Sequence, residues 1–493
     1  MPDGSTPLPA DDDAPLYAAR RKVYPRAVRG HIRRIKWAVL ILLLGIYYLV
    51  PWLRWDRGPG VPNQAVLADV QNARLFFFWI EIWPQEIYFL TGVLILGAIG
   101  LFAATSLFGR IWCGFTCPQT VWTDLFMWVE RLIEGDRNAR IRRDGAPPSA
   151  ARTRLKLMKH AAWLLIAAAT GGAWIMYFQD APTVTRAIVT GRASAETYFF
   201  FALFTATTYV LAGFAREQVC TYMCPWPRFQ GAMLDDDSLV VTYRAWRGEP
   251  RGKAKAMGVG DCVDCFACVH VCPTGIDIRD GQQMECIGCG LCVDACDDVM
   301  RKLKRPEGLI AFETLANLAA SGAAAAPFPP GPARQQAGMA ARRHMHLIRP
   351  RTIMYAAVLG AVLAVMLGAF LLRTTVSLAA LAERAPPYVL LSDGSVRNAY
   401  TLKLIDKRRE ARRYTLAIDG LPGARLVVQD AETAADGRPV LVSVPDGVGA
   451  FRALVAVPPT EALPANTPIR LRLLDGEGRA VASADSAFLA PAP

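Results

Sequence analysis

The chain has 493 residues, 55 Lys and Arg against 43 Asp and Glu for a formal charge of +12, 12 Cys, and 53% hydrophobic residues. That length exceeds what one domain usually holds, and a mean hydropathy of +0.23 excludes a disordered or fibrous chain and weighs against a purely soluble one. The basic residues flank apolar stretches instead of gathering on one face, so nucleic acid is not expected as a partner.

Residues 1–36 form an N-terminal segment, Pro- and Asp-rich to residue 19 and then basic, with Arg20, Arg21, Lys22, Arg26, Arg29, Arg33, Arg34 and Lys36. The first apolar run starts only at Trp37 and lacks a small-residue cleavage site, so no secretory signal is read there. Five stretches, 37–53, 87–108, 161–178, 197–214 and 353–372, approach or reach the roughly 20 residues needed to cross a bilayer core. Lys and Arg are dense before the first stretch and between the second and third, and sparse in the loops between. The positive-inside rule then predicts an inner-membrane protein with a cytoplasmic N-terminus and, after five spans, a C-terminus outside.

Residues 37–225 read as a membrane domain of four spans. Phe76, Phe77, Phe78, Trp79 and Trp83 suggest an interfacial aromatic belt with a partly inserted helix. The second stretch ends at Gly109-Arg110, followed by Cys113-Gly-Phe-Thr-Cys117-Pro118. A helix is expected to restart at Pro118 with Val121, Trp122, Leu125, Phe126, Val129 and Leu132 on one face. The fourth stretch ends alike, Ala215-Arg216 preceding Cys220-Thr-Tyr-Met-Cys224-Pro225. The chain therefore carries a coarse internal repeat of span, Arg and C-x-x-x-C-P.

Residues 226–318 read as a cytoplasmic ferredoxin-like domain and 319–352, rich in Ala, Pro and Gly, as a linker. The fifth span at 353–372 leads to 373–493. There, seven short runs (399–405, 414–418, 425–428, 440–444, 451–457, 469–474 and 480–489) separated by turn residues predict an immunoglobulin-like sandwich without a disulfide. The fold class is a multi-domain membrane protein with these three parts.

All 12 Cys lie on the predicted cytoplasmic side, where thiols stay reduced, so metal binding outranks disulfides. Cys262-x2-Cys265-x2-Cys268-x3-Cys272-Pro273 and Cys286-x2-Cys289-x2-Cys292-x3-Cys296 carry the spacing of a [4Fe-4S] pair, in which the fourth Cys of each run reaches the other cluster. One cluster is expected on Cys262, Cys265, Cys268 and Cys296, the other on Cys286, Cys289, Cys292 and Cys272. Structural zinc does not call for eight thiolates in that crossed arrangement.

Cys113, Cys117, Cys220 and Cys224 admit two readings. If the repeats pack together, four thiolates converge for Cu(I), zinc or a further cluster; otherwise they are buried unligated thiols. No His lies within the apolar stretches, His160 being at an edge, which disfavours a bis-His haem. His344, Met345 and His346 suit a headgroup-facing segment better than a copper site, and Met223 suits packing better than ligation. No catalytic residue, phosphate loop or hydrolytic triad is assigned, so an ATP-driven pump is not expected.

Gly109-Arg-Ile-Trp-Cys-Gly-Phe-Thr-Cys-Pro-Gln-Thr-Val-Trp122, Glu217-Gln-Val-Cys-Thr-Tyr-Met-Cys-Pro225, Arg247-Gly-Glu-Pro-Arg-Gly252, Gly260-Asp-Cys-Val-Asp-Cys265, Cys272-Pro-Thr-Gly-Ile-Asp-Ile-Arg-Asp-Gly281 and Asn398-Ala-Tyr400 together resemble the FixG/RdxA/CcoG accessory proteins of cbb3-type cytochrome c oxidase. The similarity extends over most of the chain, though its Ala/Pro-rich stretch is longer than the family's. The resemblance implies a polyferredoxin in the lipid bilayer that assists oxidase assembly by reducing Cu(II) to Cu(I), a cupric-reductase activity. Its implied partners are the oxidase or its copper-delivery proteins and a donor that is either cytoplasmic or a quinol; a homo-oligomer is compatible. Two other classes stand beside it: a quinol-linked respiratory subunit, similar to the C-x-x-x-C-P ferredoxins of nitrate and nitrous oxide respiration, and a scaffold with structural clusters.

Overall fold

The computed structural model describes residues 22–491 except 59, 344, 345, 409, 446 and 460–463. The segment 1–19 and the pair His344 and Met345 therefore lie outside the described residues. Backbone contacts divide the chain into two compact units, Met1–Met366 and Leu367–Pro493.

The first unit opens with helix α1 (His31–Leu49), strands β1 (Val66–Asp69), β2 (Arg74–Phe77) and β3 (Ile80–Ile82), and helix α2 (Tyr88–Phe108). Then come α3 (Pro118–Glu134), α4 (Arg137–Gly145), α5 (Ala150–Ile175), α6 (Ala181–Val189) and α7 (Ala195–Thr208). The helical stretches His31–Trp52, Pro84–Phe108, Ala195–Ala215 and Pro350–Leu371 are long and apolar enough to cross a membrane. Helix α5 is the fifth long helix, 26 residues, but Arg152, Arg154, Lys156 and Lys159 occupy its first part and its apolar run begins only after His160. Leu94, Leu164, Phe199 and Val365 stand exposed on these helices, as lipid-facing side chains do.

Where the helices meet, α3, α5 and the turn after α7 close on Trp163, which is 2% exposed, stacks on Phe126 at 5.4 Å and donates its indole N–H to the Phe126 carbonyl at 3.1 Å. The aromatic stretch after α1, expected to include a partly inserted helix, forms strands among its described residues. It folds as an antiparallel sheet β1-β2-β3, because Asp69 accepts the Asn72 N–H and Ala73 turns at φ 52°, reversing the chain after four residues. Alternation then buries Phe76 and leaves Phe77 outside.

Helix α8 (Trp226–Met233), strand β4 (Leu239–Tyr243), α9 (Ala245–Gly248), α10 (Ala267–Val271), α11 (Leu291–Lys302) and β5 (Ile310–Thr314) follow. β4 and β5 pair antiparallel, Tyr243 opposite Ile310, and bracket the Cys-dense block in sequence. Val241, Tyr243, Met300, Leu309 and Ile310 form one core with Cys262, Cys268 and Cys296.

The segment expected as a linker is ordered instead. Leu315–Ala325 and Pro332–Ala340 are helices α12 and α13. Thr314 caps the first through the Asn317 N–H, Pro332 opens the second, and Gln335 reaches the Asp261 carboxylate at 2.8 Å. Alanine is the best helix former, and the four Pro between 327 and 332 fall in the turn and at a helix start, where they do no harm. Helix α14 (Pro350–Leu371) runs across the boundary between the units.

The second unit is all-β: β6 (Val376–Ala382), β7 (Val389–Leu390), β8 (Val396–Asp406), β9 (Arg413–Asp419), β10 (Arg425–Val428), β11 (Glu432–Thr433), β12 (Pro439–Val442), β13 (Gly447–Val457), β14 (Asn466–Leu474) and β15 (Ala480–Leu489). One sheet runs β10-β13-β8-β6 with β7 on β8, the other β11-β12-β9-β14-β15. Alternate residues Tyr400, Leu402, Leu404, Leu471, Leu473 and Phe488 fill the space between them. This is an immunoglobulin-like sandwich, held by packing and by bonds such as Tyr400 Oη to the Ala487 carbonyl at 2.9 Å.

Candidate functional site

The two ferredoxin runs use one backbone design. In the second, Gly288 (φ 67°) and Gly290 (φ 69°) turn left-handed and α11 starts at once; in the first, Asp264 (φ 53°) and Phe266 (φ 55°) do the same before α10. Such turns draw three closely spaced thiols around one space. Phe266 bears the less favourable conformation and is braced by the Arg279 guanidinium, 4.3 Å from its ring.

The predicted thiols line two cavities. One cavity is lined by Cys262, Cys265, Cys268 and Cys296 with Tyr243, Met300 and Ile310. The other is lined by Cys272, Cys286, Cys289 and Cys292 with Val241, Ile276 and Ile287, and Cys268 borders it too. Among the described residues no three His, Cys, Asp or Glu side chains gather closely enough for a single metal ion. Four thiols around an apolar space suit a polynuclear iron-sulfur group.

Burial pushes the thiols of Cys268 and Cys296 up to about 12 and that of Cys286 to about 11, and it raises Cys289 and Cys292 as well. Free thiolates would be costly there, so a metal group bound by these thiols would displace their protons. Around the first cavity Arg279 pairs with Asp264 and Asp277.

The other four cysteines lie near one another, with no three of them close enough for a single ion among the described residues. Cys117 N–H bonds to the Trp112 carbonyl and Cys224 N–H to that of Val219, each at 2.8 Å across a wide π-type turn, so the pairs are not on regular α-helix. Burial, then neighbouring Cys117, raises the Cys113 thiol to about 12, with Cys220 and Cys224 adding to it; Cys220 rises to about 11. Gln119 ties the repeats together, donating to the carbonyls of Leu211 and Arg216. Cys113, Cys117 and Cys220 are half-buried and Cys224 is exposed. Burial of these thiols is thus partial, and Met223, for which packing was expected, is 62% exposed.

This quartet rests against the second cavity. Cys113 and Cys220 pack on the cluster of buried side chains that contains Cys289. A Cβ on Gly114 would lie 2.8 Å from the Gly288 carbonyl oxygen and 2.9 Å from Cys289 Cα, so only glycine allows this approach.

Sequence reasoning missed how the Cys-dense block is seated. The Asp294 carboxylate of α11 accepts the Ile32 N–H at 3.1 Å and the Arg33 N–H at 2.7 Å, capping α1 from 262 residues away. Asp294→Ala is expected to destabilise the start of α1 by about 1 kcal/mol, the usual cost of a lost N-cap. Faster amide exchange at Ile32 and Arg33 would report it; unchanged protection would refute the clamp. No local signal could reveal a cap supplied from so far along the chain.

Three family models match: a 4Fe-4S binding domain over residues 90–135, a 4Fe-4S dicluster domain over 215–315, and the immunoglobulin-like fold at the C-terminal of FixG over 366–491. The first includes Cys113 and Cys117 and the second the remaining ten. The chain is 50% identical to nitrogen fixation protein FixG of Rhizobium meliloti over 473 residues, 92% of this chain and 90% of that one. It is 48% identical to protein RdxA of Cereibacter sphaeroides (96% and 98% covered) and 48% identical to RdxB of the same organism (83% and 84%).

Proposed function

Because this chain belongs to the FixG family, we propose that it is a membrane-bound iron-sulfur protein that reduces Cu(II) to Cu(I) in support of cbb3-type cytochrome c oxidase assembly. The family relation and the 4Fe-4S models support iron-sulfur electron transfer; copper as acceptor is the finer step. In this reading Cys262, Cys265, Cys268 and Cys296 hold one [4Fe-4S] cluster and Cys272, Cys286, Cys289 and Cys292 the other. When bound, the two clusters supply one-electron carriers.

The observation that carries the reading is the contact between the accessible thiol quartet and the buried Cys289 loop. Cys113, Cys117, Cys220 and Cys224 offer soft donors that an incoming ion can reach, and thiolate favours Cu(I) over Cu(II). One electron from the donor leaves one Cu(I) on thiols suited to retain it. The basic flanks of the spans support a cytoplasmic N-terminus and cytoplasmic cysteines, and with α5 as a fifth span this reading has the second unit in the periplasm. The limits 37–225, 226–318 and 373–493 for the three functional parts belong to this reading, with 319–352 serving as a helical cover on the ferredoxin-like part.

Changing Cys113, Cys117, Cys220 and Cys224 together to Ser tests it. Iron and sulfide should stay at the wild-type level while copper stoichiometry and anaerobic Cu(II) reduction are lost. Unaltered copper binding and reduction would return the quartet to a structural role.

A further inference from the structure

The two repeats each place an arginine before the C-x-x-x-C-P turn, and the structure gives the two opposite surroundings. Arg216 is neutralised: its guanidinium meets the buried Glu130 carboxylate at 2.9 Å and donates Nε–H to the Gly213 carbonyl at 2.7 Å. Arg110 meets no carboxylate within ion-pair distance among the described residues; Glu285 lies near but farther off. It is 8% exposed, and its guanidinium donates to the Cys286 carbonyl at 2.8 Å, to the Met284 carbonyl, and to the Pro227 carbonyl at 3.0 Å. Its Cβ lies 3.1 Å from where a side chain on Gly288 would begin, and its own carbonyl accepts the Gly114 N–H at 3.1 Å. A bare buried cation thus grips the loop that carries Cys286 and Cys289, from the strand of chain leading into Cys113.

At the first cavity the buried cation is Arg279, and it is shared by Asp264 and Asp277, while Asp297 follows Cys296 directly. A [4Fe-4S] group gains a negative charge when it accepts an electron, and burial alone opposes that gain. Both cavities hold buried thiols, Cys262, Cys268 and Cys296 around the first and Cys289 with three half-buried thiols around the second. What separates them is the surroundings of the cation beside each.

We propose that Arg110 is a positioning residue that sets the reduction potential of the second cluster, raising it so that an electron can be held beside the C-x-x-x-C-P thiols. The inference rests on the two-cluster reading above and adds to it the division of labour between the repeat arginines. The group class served is a [4Fe-4S] cluster, the change is one electron gained by it, and Arg110 neither gains nor loses a proton.

The test is an anaerobic EPR redox titration of the full-length protein in detergent, with iron and sulfide counted. In Arg110→Gln one of the two cluster signals should move to lower potential and the other stay in place, while Arg110→Lys, which keeps the charge, should stay near wild type. The moved signal should survive in a Cys265→Ser background and vanish in a Cys289→Ser background. Both midpoints unmoved, both moved equally, or an Arg110→Lys shift as large as that of Arg110→Gln would overturn the proposal. Loss of the second cluster in both Arg110 variants would overturn it too, making the arginine a structural clip. Absence of clusters from the wild type would instead refute the underlying reading.

Discussion

Cys289→Ser should leave a folded protein with half the iron and sulfide of the wild type and no measurable Cu(II) reduction. Cys289 is buried, lines the second cavity with Cys272, Cys286 and Cys292, and touches the turn that holds Cys113. Serine is close in size, so packing of Val271, Ile287 and Leu291 around it should survive, but a hydroxyl is a poor iron ligand at neutral pH. Of the two cavities this one adjoins the quartet, so its loss severs the route to copper even where the other set is intact. Cys265→Ser should also halve the iron, through Cys262, Cys268 and Cys296. The EPR spectra of the two variants should be complementary and sum to that of the wild type. A Cys289→Ser protein that keeps full iron, or that reduces Cu(II) at the wild-type rate, would dismiss both the crossed assignment and the path.

Short-range chemistry was the part of this molecule open to reading from the sequence. The crossed thiol sets follow from intervals of two and three residues, because a turn that brings Cys286, Cys289 and Cys292 round one space is local and throws Cys296 beyond it. The duplicated Arg and C-x-x-x-C-P were equally legible, and so were seven strands of the sandwich, where alternation fixes which side chains face inward, whereas β6, β7 and β11 were not foreseen. What escaped depends on distant partners or on competing local preferences. Asp294 caps α1 across the whole membrane region, and Arg110 looked the same as Arg216 until Glu130 was found beside only one of them. In 319–352, prolines suggested a linker, but the helix preference of the alanines on either side of them prevailed once Trp246 gave those helices a surface to cover. In 66–82, aromatic content suggested an interfacial helix, yet the shared burial of Leu67 and Phe76, opposite each other across β1 and β2, and the tight turn at Ala73 favour strands.

Glu130→Leu should be the most destabilising single change outside the cysteines. Glu130 is 1% exposed, and its carboxylate lies 2.6 Å from Arg140, 2.9 Å from Arg216 and 3.6 Å from Lys159, all of them buried. Glu134 alone would remain to balance three cations, through Lys159 at 2.9 Å. A surface pair is worth about 0–1 kcal/mol, whereas stranding buried charges costs about 3–5 kcal/mol, so the larger figure applies. The loss should show as a lower urea midpoint in detergent, followed by fluorescence of Trp163, over whose ring Lys159 and Arg216 lie at 4.9 and 5.2 Å. Burial by itself would raise the Glu130 carboxyl, but Arg216, Arg140 and Lys159 hold it below the ordinary value. An acid depressed in the folded state stabilises fully above its unfolded pKa, about 4.3, and loses that contribution as pH falls through the lower folded value. The gap between wild type and Glu130→Leu should therefore be constant near neutrality and narrow only below about pH 4.3. Because Arg216 opens the second C-x-x-x-C-P turn and its carbonyl receives Gln119, the variant should also bind copper less well while keeping its iron. An unfolding curve that coincides with the wild type would show that the three cations find other partners or water, and the network would lose its structural role.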